Sequence, residues 1–295
     1  MRVAITGASG LIGSALAPHL RSHGHEVTRL VRRPAAAADE ISWDPSAGTV
    51  DLAALAGTDA VVHLAGAGVG DHRWTESYKR EILQSRVRGT DTIARAMASL
   101  DPRPRALICG SAIGWYGDTG STAVDESAPA GSGFLADVVE KWEAAAAPAS
   151  DAGIRTTFAR TGLVVARDGG AFARLVPIFK LGGGGRVGSG QQYWSFISLT
   201  DEIAALTFLL ENDIGGAVNL TAPNPVTNAE ATKALGALLH RPTLLPVPSF
   251  ALKAVLGEFA EDVLASQRVM PRVLEGVPFT FTHPTIDSAL AAELT

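Results

Sequence analysis

The chain has 295 residues, of which 46% are hydrophobic and 19% charged, so it can bury one large core and a smaller second one, and wholesale disorder is excluded. Its formal net charge of −5 comes without a basic stripe in the sequence, which gives no electrostatic reason to expect a nucleic-acid partner. The longest apolar runs are far shorter than the roughly 20 residues that cross a bilayer, so no membrane partner is expected.

The first predicted element is an apolar strand that starts at Arg2 and runs into three glycines with the spacing G-x-x-G-x-x-G. A helical pattern follows and ends at Gly24. Glycines in such a strand-to-helix turn let the backbone approach a pyrophosphate, which then rests on the N–H groups and the positive dipole end of the helix. The sequence therefore predicts a dinucleotide site with contacts from Gly7, Ser9, Gly10, Leu11, Ile12 and Gly13.

The second predicted strand, which begins at Glu26, indicates which dinucleotide binds. An NAD enzyme usually presents an acidic residue at the end of this strand, whereas this strand ends on Arg32 and Arg33. Guanidinium groups suit a 2′-phosphate and leave a bare 2′-hydroxyl without its acceptor. We therefore predict NADP(H), with Arg32 as the better phosphate ligand; the alternative is that both arginines are ordinary solvated charges.

Strand and helix patterns alternate through the first half of the chain. Strands are predicted at 59–66, 105–111 and 153–160, and helices at 76–100 and 133–147. This alternation predicts an α/β fold with a doubly wound parallel sheet, the Rossmann arrangement. The expected division is a cofactor domain at 1–165, completed by a strand at 217–221, and a smaller C-terminal lobe formed by 166–216 and 223–295.

Ligands of such a sheet lie beyond the carboxyl ends of its strands. The residues at these ends that we expect to contact the cofactor are Leu64, Ala65, Gly66, Ser111, Thr161, Gly162 and Val164. The single cysteine, Cys109, lies in an apolar strand pattern and is expected to be a packed thiol rather than a nucleophile. One cysteine cannot form an internal disulfide, and the first strand begins at residue 2, so a cytoplasmic location is the simplest expectation.

These motifs resemble the short-chain dehydrogenase/reductase superfamily in its extended, epimerase/dehydratase-like form. The resemblance rests on the glycine segment 6–13, the strand 59–66, Ser111 and the stretch 160–164. A narrower resemblance, to an atypical subgroup called epimerase family proteins and named for nucleoside-diphosphate-sugar epimerases, covers nearly the whole chain. It rests on Arg73-Trp74, 81–86, 133–136, Trp142-Glu143, 188–197 and 216–224, and, in the subgroup's own C-terminal domain of unknown function, on 244–250, 256–258 and 266–271.

The resemblance implies a Tyr and a Lys four residues apart on one helix face, where the ammonium lowers the pKa of the phenol for proton transfer. This chain has no such pair, and alignment on Glu143 places Leu135 and Val139 at the two positions. The resemblance also implies cofactor contacts from Glu81 and from Arg86, which replaces the family's usual Asn. The standard proton-transfer machinery is therefore absent.

Chemistry would then depend on Ser111 and Tyr116, the two residues predicted as catalytic. Ser111 could instead cap a turn, and Tyr116 with Trp115 could belong to the core or to a lobe interface. The glycine run 182–185 lacks the Lys of a phosphate loop and is expected to form a flexible turn. No metal is expected, because the histidines lack ligand spacing.

Three functions remain open from the sequence. The first is an NADP(H)-dependent oxidoreductase or epimerase-like enzyme on an unidentified small carbonyl- or sugar-type substrate, with an unconventional proton donor. The second is a non-catalytic NADP(H)-binding sensor whose state is read by a partner. The third is a nucleotide-sugar epimerase, ranked below the first because such epimerases use the missing tyrosine. The sequence leaves the oligomeric state open.

Overall fold

A computed structural model describes all 295 residues, and most of its strands join one large sheet. The strands are β1 (Arg2–Thr6), β2 (Glu26–Val31), β3 (Glu40–Asp44), β4 (Thr49–Val50), β5 (Ala60–His63), β6 (Ala106–Ala112), β7 (Ala123–Val124), β8 (Arg155–Thr161), β9 (Leu163–Val165), β10 (Tyr193–Trp194), β11 (Phe196–Ser198), β12 (Gly216–Leu220), β13 (Val226–Thr227) and β14 (Arg268–Val269). The main sheet has the order β12-β8-β6-β5-β1-β2-β3-β4 and is parallel except for the β3–β4 hairpin. The doubly wound α/β prediction is confirmed.

Helices cover both faces of this sheet. They are α1 (Leu11–Ser22), α2 (Leu52–Leu55), α3 (Glu76–Ser99), α4 (Phe134–Ala144), α5 (Ala147–Asp151), α6 (Gly170–Lys180), α7 (Leu199–Glu211), α8 (Asn228–Leu238), α9 (Ser249–Leu256), α10 (Phe259–Leu264), α11 (Arg272–Glu275) and α12 (Ile286–Leu294). Because successive strand residues face opposite sides, Val3 and Ile5 pack with α1 and α7, whereas Ala4 packs with α3. No helix is long and apolar enough to cross a membrane.

The smaller core lies at the C-terminal side of the chain. It joins α6, α8 and α12 through buried residues such as Phe172, Leu235 and Leu290. Helix α7, in contrast, packs under the main sheet through Leu206 and Leu209. The boundary predicted at residue 165 therefore does not separate the two cores, because the segment 166–216 contributes α6 to the smaller core and α7 to the larger one.

Candidate functional site

The glycine turn between β1 and α1 has the geometry that the sequence predicted. Gly7 adopts a φ of +67°, and a Cβ there would lie 2.8 Å from the carbonyl carbon of Leu64. A Cβ at Gly13 would lie 2.3 Å from the carbonyl oxygen of Gly7, so both glycines are required for packing. A Cβ at Gly10 would have only one neighbour, the Gly7 oxygen at 3.3 Å. Gly10, which caps α1 with an exposed, extended backbone, therefore leaves its outer side open to a ligand.

A buried histidine holds the end of β5 against this turn. The Thr6 hydroxyl accepts hydrogen bonds from the backbone N–H groups of Leu64 and Ala65, so its own proton goes to His63 Nδ1 at 2.8 Å. Burial lowers the pKa of His63 to about 4, which keeps the ring neutral and able to accept that proton. The predicted contacts Leu64 and Ala65 are thus fixed beside Gly7.

The two arginines after β2 differ in what they bind. Both guanidinium nitrogens of Arg33 donate to the Glu40 carboxylate, at 2.7 and 2.8 Å, and this pair lowers the pKa of Glu40 to about 2. Arg32 is exposed and has no carboxylate partner. It lines a pocket of about 470 Å³ with Ser42 and Trp43, at the carboxyl ends of β2 and β3. Arg32 is therefore the guanidinium left available for a phosphate.

Arg86 supplies a second cation near the end of β5. Its guanidinium donates to the carbonyl oxygens of Ala67 and Ile82 at 2.8 and 3.1 Å and lies 4.9 Å from the ring centre of Trp142. A Cβ at Gly66 would lie 3.3 Å from Arg86 Cγ, so that glycine makes room for the arginine. Desolvation lowers the pKa of Arg86 to about 10, which still leaves it charged at neutral pH. Glu81, in contrast, is exposed on α3 and shows no contact that places it at this site.

The predicted contacts after β8 lie against the C-terminal half of the chain. The Thr161 hydroxyl donates to Glu202 Oε1 at 2.8 Å, and burial raises the pKa of Glu202 to about 8. A Cβ at Gly162 would lie 2.5 Å from the carbonyl oxygen of Ser195, so this glycine is required for packing. Val164 pairs with Ile197 between β9 and β11.

Ser111 belongs to a buried polar network centred on an ion pair. Its hydroxyl donates to Glu143 Oε1 at 2.6 Å, and Arg160 donates to both oxygens of Glu143 at 2.8 and 2.9 Å. The Arg160 guanidinium also stacks on the Trp115 ring at 3.9 Å. Burial opposes the charge on Arg160, but the hydrogen bonds and charge of Glu143 raise its pKa on balance. The Ser111 proton is therefore committed to Glu143, and the residue is 5% exposed.

Tyr116 completes the same network. Its hydroxyl accepts a hydrogen bond from Arg160 at 3.1 Å and donates one to Asn219 Oδ1 at 2.8 Å. Burial raises the pKa of Tyr116 above its ordinary value of 10, because desolvation outweighs the nearby Arg160 charge. The phenol is a structural donor in this arrangement, and it is not poised to accept a proton at neutral pH.

The C-terminal domain is tied to this network. Asn219 Nδ2 donates to the Met270 carbonyl at 2.9 Å, and Gln267 Nε2 reaches the carbonyls of Ile113 and Gly117, both at 3.3 Å. These two carbonyls lie at the start of the single 3-10 turn, Ile113–Tyr116, and just after its end. The turn that follows β6 is therefore held from the C-terminal side.

The helix face that would carry a Tyr/Lys pair is apolar. A Cβ at Gly114 would lie 3.3 Å from Leu135 Cβ and 3.7 Å from Val139 Cγ2, so both side chains pack on the 3-10 turn.

The sequence also led to expectations about the packing of Cys109 and of the glycine run. Cys109 is fully buried, and burial raises the pKa of its thiol to about 12, as expected of a packed thiol. The glycine run 182–185 is not a free turn, because a Cβ at Gly185 would lie 1.7 Å from the Leu245 oxygen.

Sequence reasoning missed the charged members of the network, Glu143 and Arg160, as a functional pair. The local sequence offers little signal for them, because α4 also carries Asp137, Glu140 and Lys141, and β8 also carries Arg155. Sequence reasoning also missed Glu202, Asn219 and Gln267. These three residues are distant in sequence from the residues they contact, so no local spacing identifies them.

Comparisons with known proteins agree with this geometry. A model of the NAD dependent epimerase/dehydratase family matches residues 3–221, and one of a domain of unknown function (DUF1731) matches residues 247–293. The epimerase family protein ML0860 of Mycobacterium leprae is 46% identical over 98% of this chain and 94% of its own length. The crystal structure of human epimerase family protein SDR39U1 (isoform2) with NADPH has a TM-score of 0.91 at 34% identity, over 100% of this chain and 99% of that one. A nucleoside-diphosphate sugar epimerase from Corynebacterium glutamicum has a TM-score of 0.84 at 36% identity, over 100% of this chain and 58% of that one.

Proposed function

Since this chain belongs to the NAD dependent epimerase/dehydratase family, we propose that it binds NADP(H) and is an oxidoreductase or epimerase-like enzyme for a small carbonyl- or sugar-type substrate. The choice of NADP(H) depends on one observation: the glycine turn is open at Gly10, and the guanidinium of Arg32 has no carboxylate partner. The human relative, whose crystal structure is one with NADPH, supports the same choice.

The residues present fit such a dinucleotide. The turn from Gly7 to Gly13 would hold the pyrophosphate, Arg32 would hold the 2′-phosphate, and the charge of Arg86 would favour the phosphates from the end of β5. When bound, the cofactor supplies the hydride, and the protein contributes orientation and the exclusion of water. Ser111 would accept a hydrogen bond rather than donate one, because Glu143 takes its proton.

The catalytic proposal lacks an evident proton source, and this favours a second candidate. Leu135 and Val139 replace the Tyr/Lys pair, and Tyr116 donates its proton to Asn219. A non-catalytic NADP(H)-binding sensor requires no proton donor. A nucleotide-sugar epimerase ranks third, supported by the similarity to the nucleoside-diphosphate sugar epimerase of Corynebacterium glutamicum, whose chain is longer than this one.

Titration with NADPH, followed by a panel of carbonyl metabolites with NADPH oxidation as the readout, tests the proposal. Gly10→Val is the variant expected to lose NADPH binding without unfolding. The backbone φ of −78° at Gly10 suits valine and the surroundings of Gly10 are open, so the fold should persist while the valine side chain blocks the pyrophosphate. An active carbonyl whose NADPH-dependent reduction is lost in Gly10→Val supports the enzyme. Tight NADPH binding with no active carbonyl supports the sensor, and no loss of binding in Gly10→Val refutes the site.

A further inference from the structure

An exposed apolar surface lies on the smaller lobe. Its residues come from the end of α6, from the segment before α9, and from α9 itself. Their exposed fractions are 49% for Ile178, 89% for Leu181, 85% for Leu244, 77% for Leu245, 77% for Phe250 and 73% for Val255. We call these six residues the apolar patch. Helix α9 has no buried residue although six of its eight residues are apolar. Most single exposed leucines need no explanation, but a group of them brought together by the fold, as Leu181, Leu244 and Leu245 are, marks an interaction site.

One side-chain and one backbone hydrogen bond hold the end of α6 and the segment before α9 side by side. Arg241 Nε donates to the Lys180 carbonyl at 3.0 Å, and the Val247 N–H donates to the Arg186 carbonyl at 2.8 Å. The close approach of Gly185 to Leu245 fixes the same register. The end of α6 and the segment before α9 therefore form one surface, and the glycine run permits their close approach.

The two chain segments that carry the patch are cationic, although α10, which packs against α9, carries Glu261 and Asp262. The segments 169–200 and 231–257 contain none of the 30 acidic residues, although the chain has a net charge of −5. They contain six cations: Arg174, Lys180, Arg186, Lys233, Arg241 and Lys253. Two of these are paired with carboxylates from elsewhere in the chain, Arg174 with Asp71 and Lys253 with Glu261. The rim residues Lys180, Arg186 and Arg241 have no carboxylate partner, and the patch is thus an apolar surface with a cationic rim.

We propose that this surface docks the protein on a membrane of anionic phospholipid. Leu181 and Leu244 project almost completely into solvent, as side chains that insert between headgroups do, whereas the lining of a peptide groove would be half-buried. The cations of the rim supply the attraction to anionic headgroups. The expectation of no membrane partner rested on the lack of a spanning segment, and peripheral docking requires none.

Co-sedimentation of the full chain with vesicles tests the proposal. Vesicles of phosphatidylglycerol and phosphatidylcholine should bind the protein, and vesicles of phosphatidylcholine alone should bind it at least about tenfold less; binding should also weaken between 0.1 and 0.5 M salt, roughly as surface charges are screened. The double variant Leu244→Asp/Leu245→Asp and the single variant Lys180→Glu, which keeps the Arg241 hydrogen bond, should each lose at least about tenfold of the binding. Their melting temperatures and NADPH affinities should stay unchanged, since these side chains are exposed.

Leu52→Asp is the matched control, because Leu52 is an exposed leucine, at 44%, on α2 of the cofactor domain. This variant should bind vesicles like the wild type. The proposal is overturned if the wild type ignores anionic vesicles, or if the patch variants bind them as well as Leu52→Asp does. A concentration-dependent dimer that the Leu244→Asp/Leu245→Asp variant abolishes, without vesicle binding, would overturn it too and assign the patch to a second copy of this chain.

Discussion

Replacing Arg32 tests how the protein distinguishes NADPH from NADH. Arg32 has no intramolecular partner, so Arg32→Glu removes no contact of the folded chain. It does remove the guanidinium that would hold a 2′-phosphate and places a carboxylate at that position. A hydrogen bond to a charged group contributes about 1.5–3 kcal/mol, which corresponds to roughly a 10- to 150-fold change in affinity. We therefore expect NADPH binding to weaken by more than about tenfold.

The measurement is calorimetric titration of both cofactors, because NADH lacks the phosphate and its affinity should not fall. Arg33→Gln serves as the matched control. Its guanidinium is already bound by Glu40 through two hydrogen bonds, so this variant should change NADPH affinity by less than about threefold. An equal loss for NADPH and NADH in Arg32→Glu, or an unchanged NADPH affinity, would refute the assignment of the 2′-phosphate to Arg32.

Three further substitutions test packing and burial. Gly13→Ala should abolish cofactor binding and lower the melting temperature, because the new Cβ would lie 2.3 Å from the Gly7 oxygen. In the wild type, the raised pKa of Glu202, about 8 against 4.5, means that unfolding releases a proton between these pH values, so stability should fall there with rising pH by on the order of 1 kcal/mol per pH unit. Thermal melts of Glu202→Gln across pH 5–8 should lack that slope. Glu143→Ala should cost about 3–5 kcal/mol in urea unfolding, since it leaves the Arg160 charge buried and unpaired, whereas a loss below about 1 kcal/mol would contradict the buried pair.

The cofactor turn and the sheet could both be predicted from short stretches of the sequence. The glycine spacing, the strand before it and the helix after it all lie within about 20 residues, and each is specified by its own side chains. The role of Arg32 was also accessible, since a strand end is a local feature. The pairing of Arg33 with Glu40 was not, because it depends on β3 lying beside β2.

The direction of Ser111 shows why the catalytic half of the site was harder to predict. Neighbouring residues of a strand face opposite sides, so a strand-end position does not fix where its hydroxyl points. In the structure, Ser111 faces α4 and reaches Glu143, 32 residues later. Glu143 in turn meets Arg160 because α4 packs on β6, which pairs with β8, so only the tertiary fold brings those two charges together.

The network changes how the absent Tyr/Lys pair is understood. In this chain the cation beside the tyrosine is Arg160, which stays charged at any accessible pH and cannot exchange a proton. Its charge is balanced by Glu143, and burial still raises the pKa of Tyr116. The ion pair therefore stiffens the turn after β6 without activating the phenol. A reductase built on this site must take its proton from water or from the substrate itself, whereas a sensor needs only the cofactor pocket and a C-terminal domain bound to the same turn.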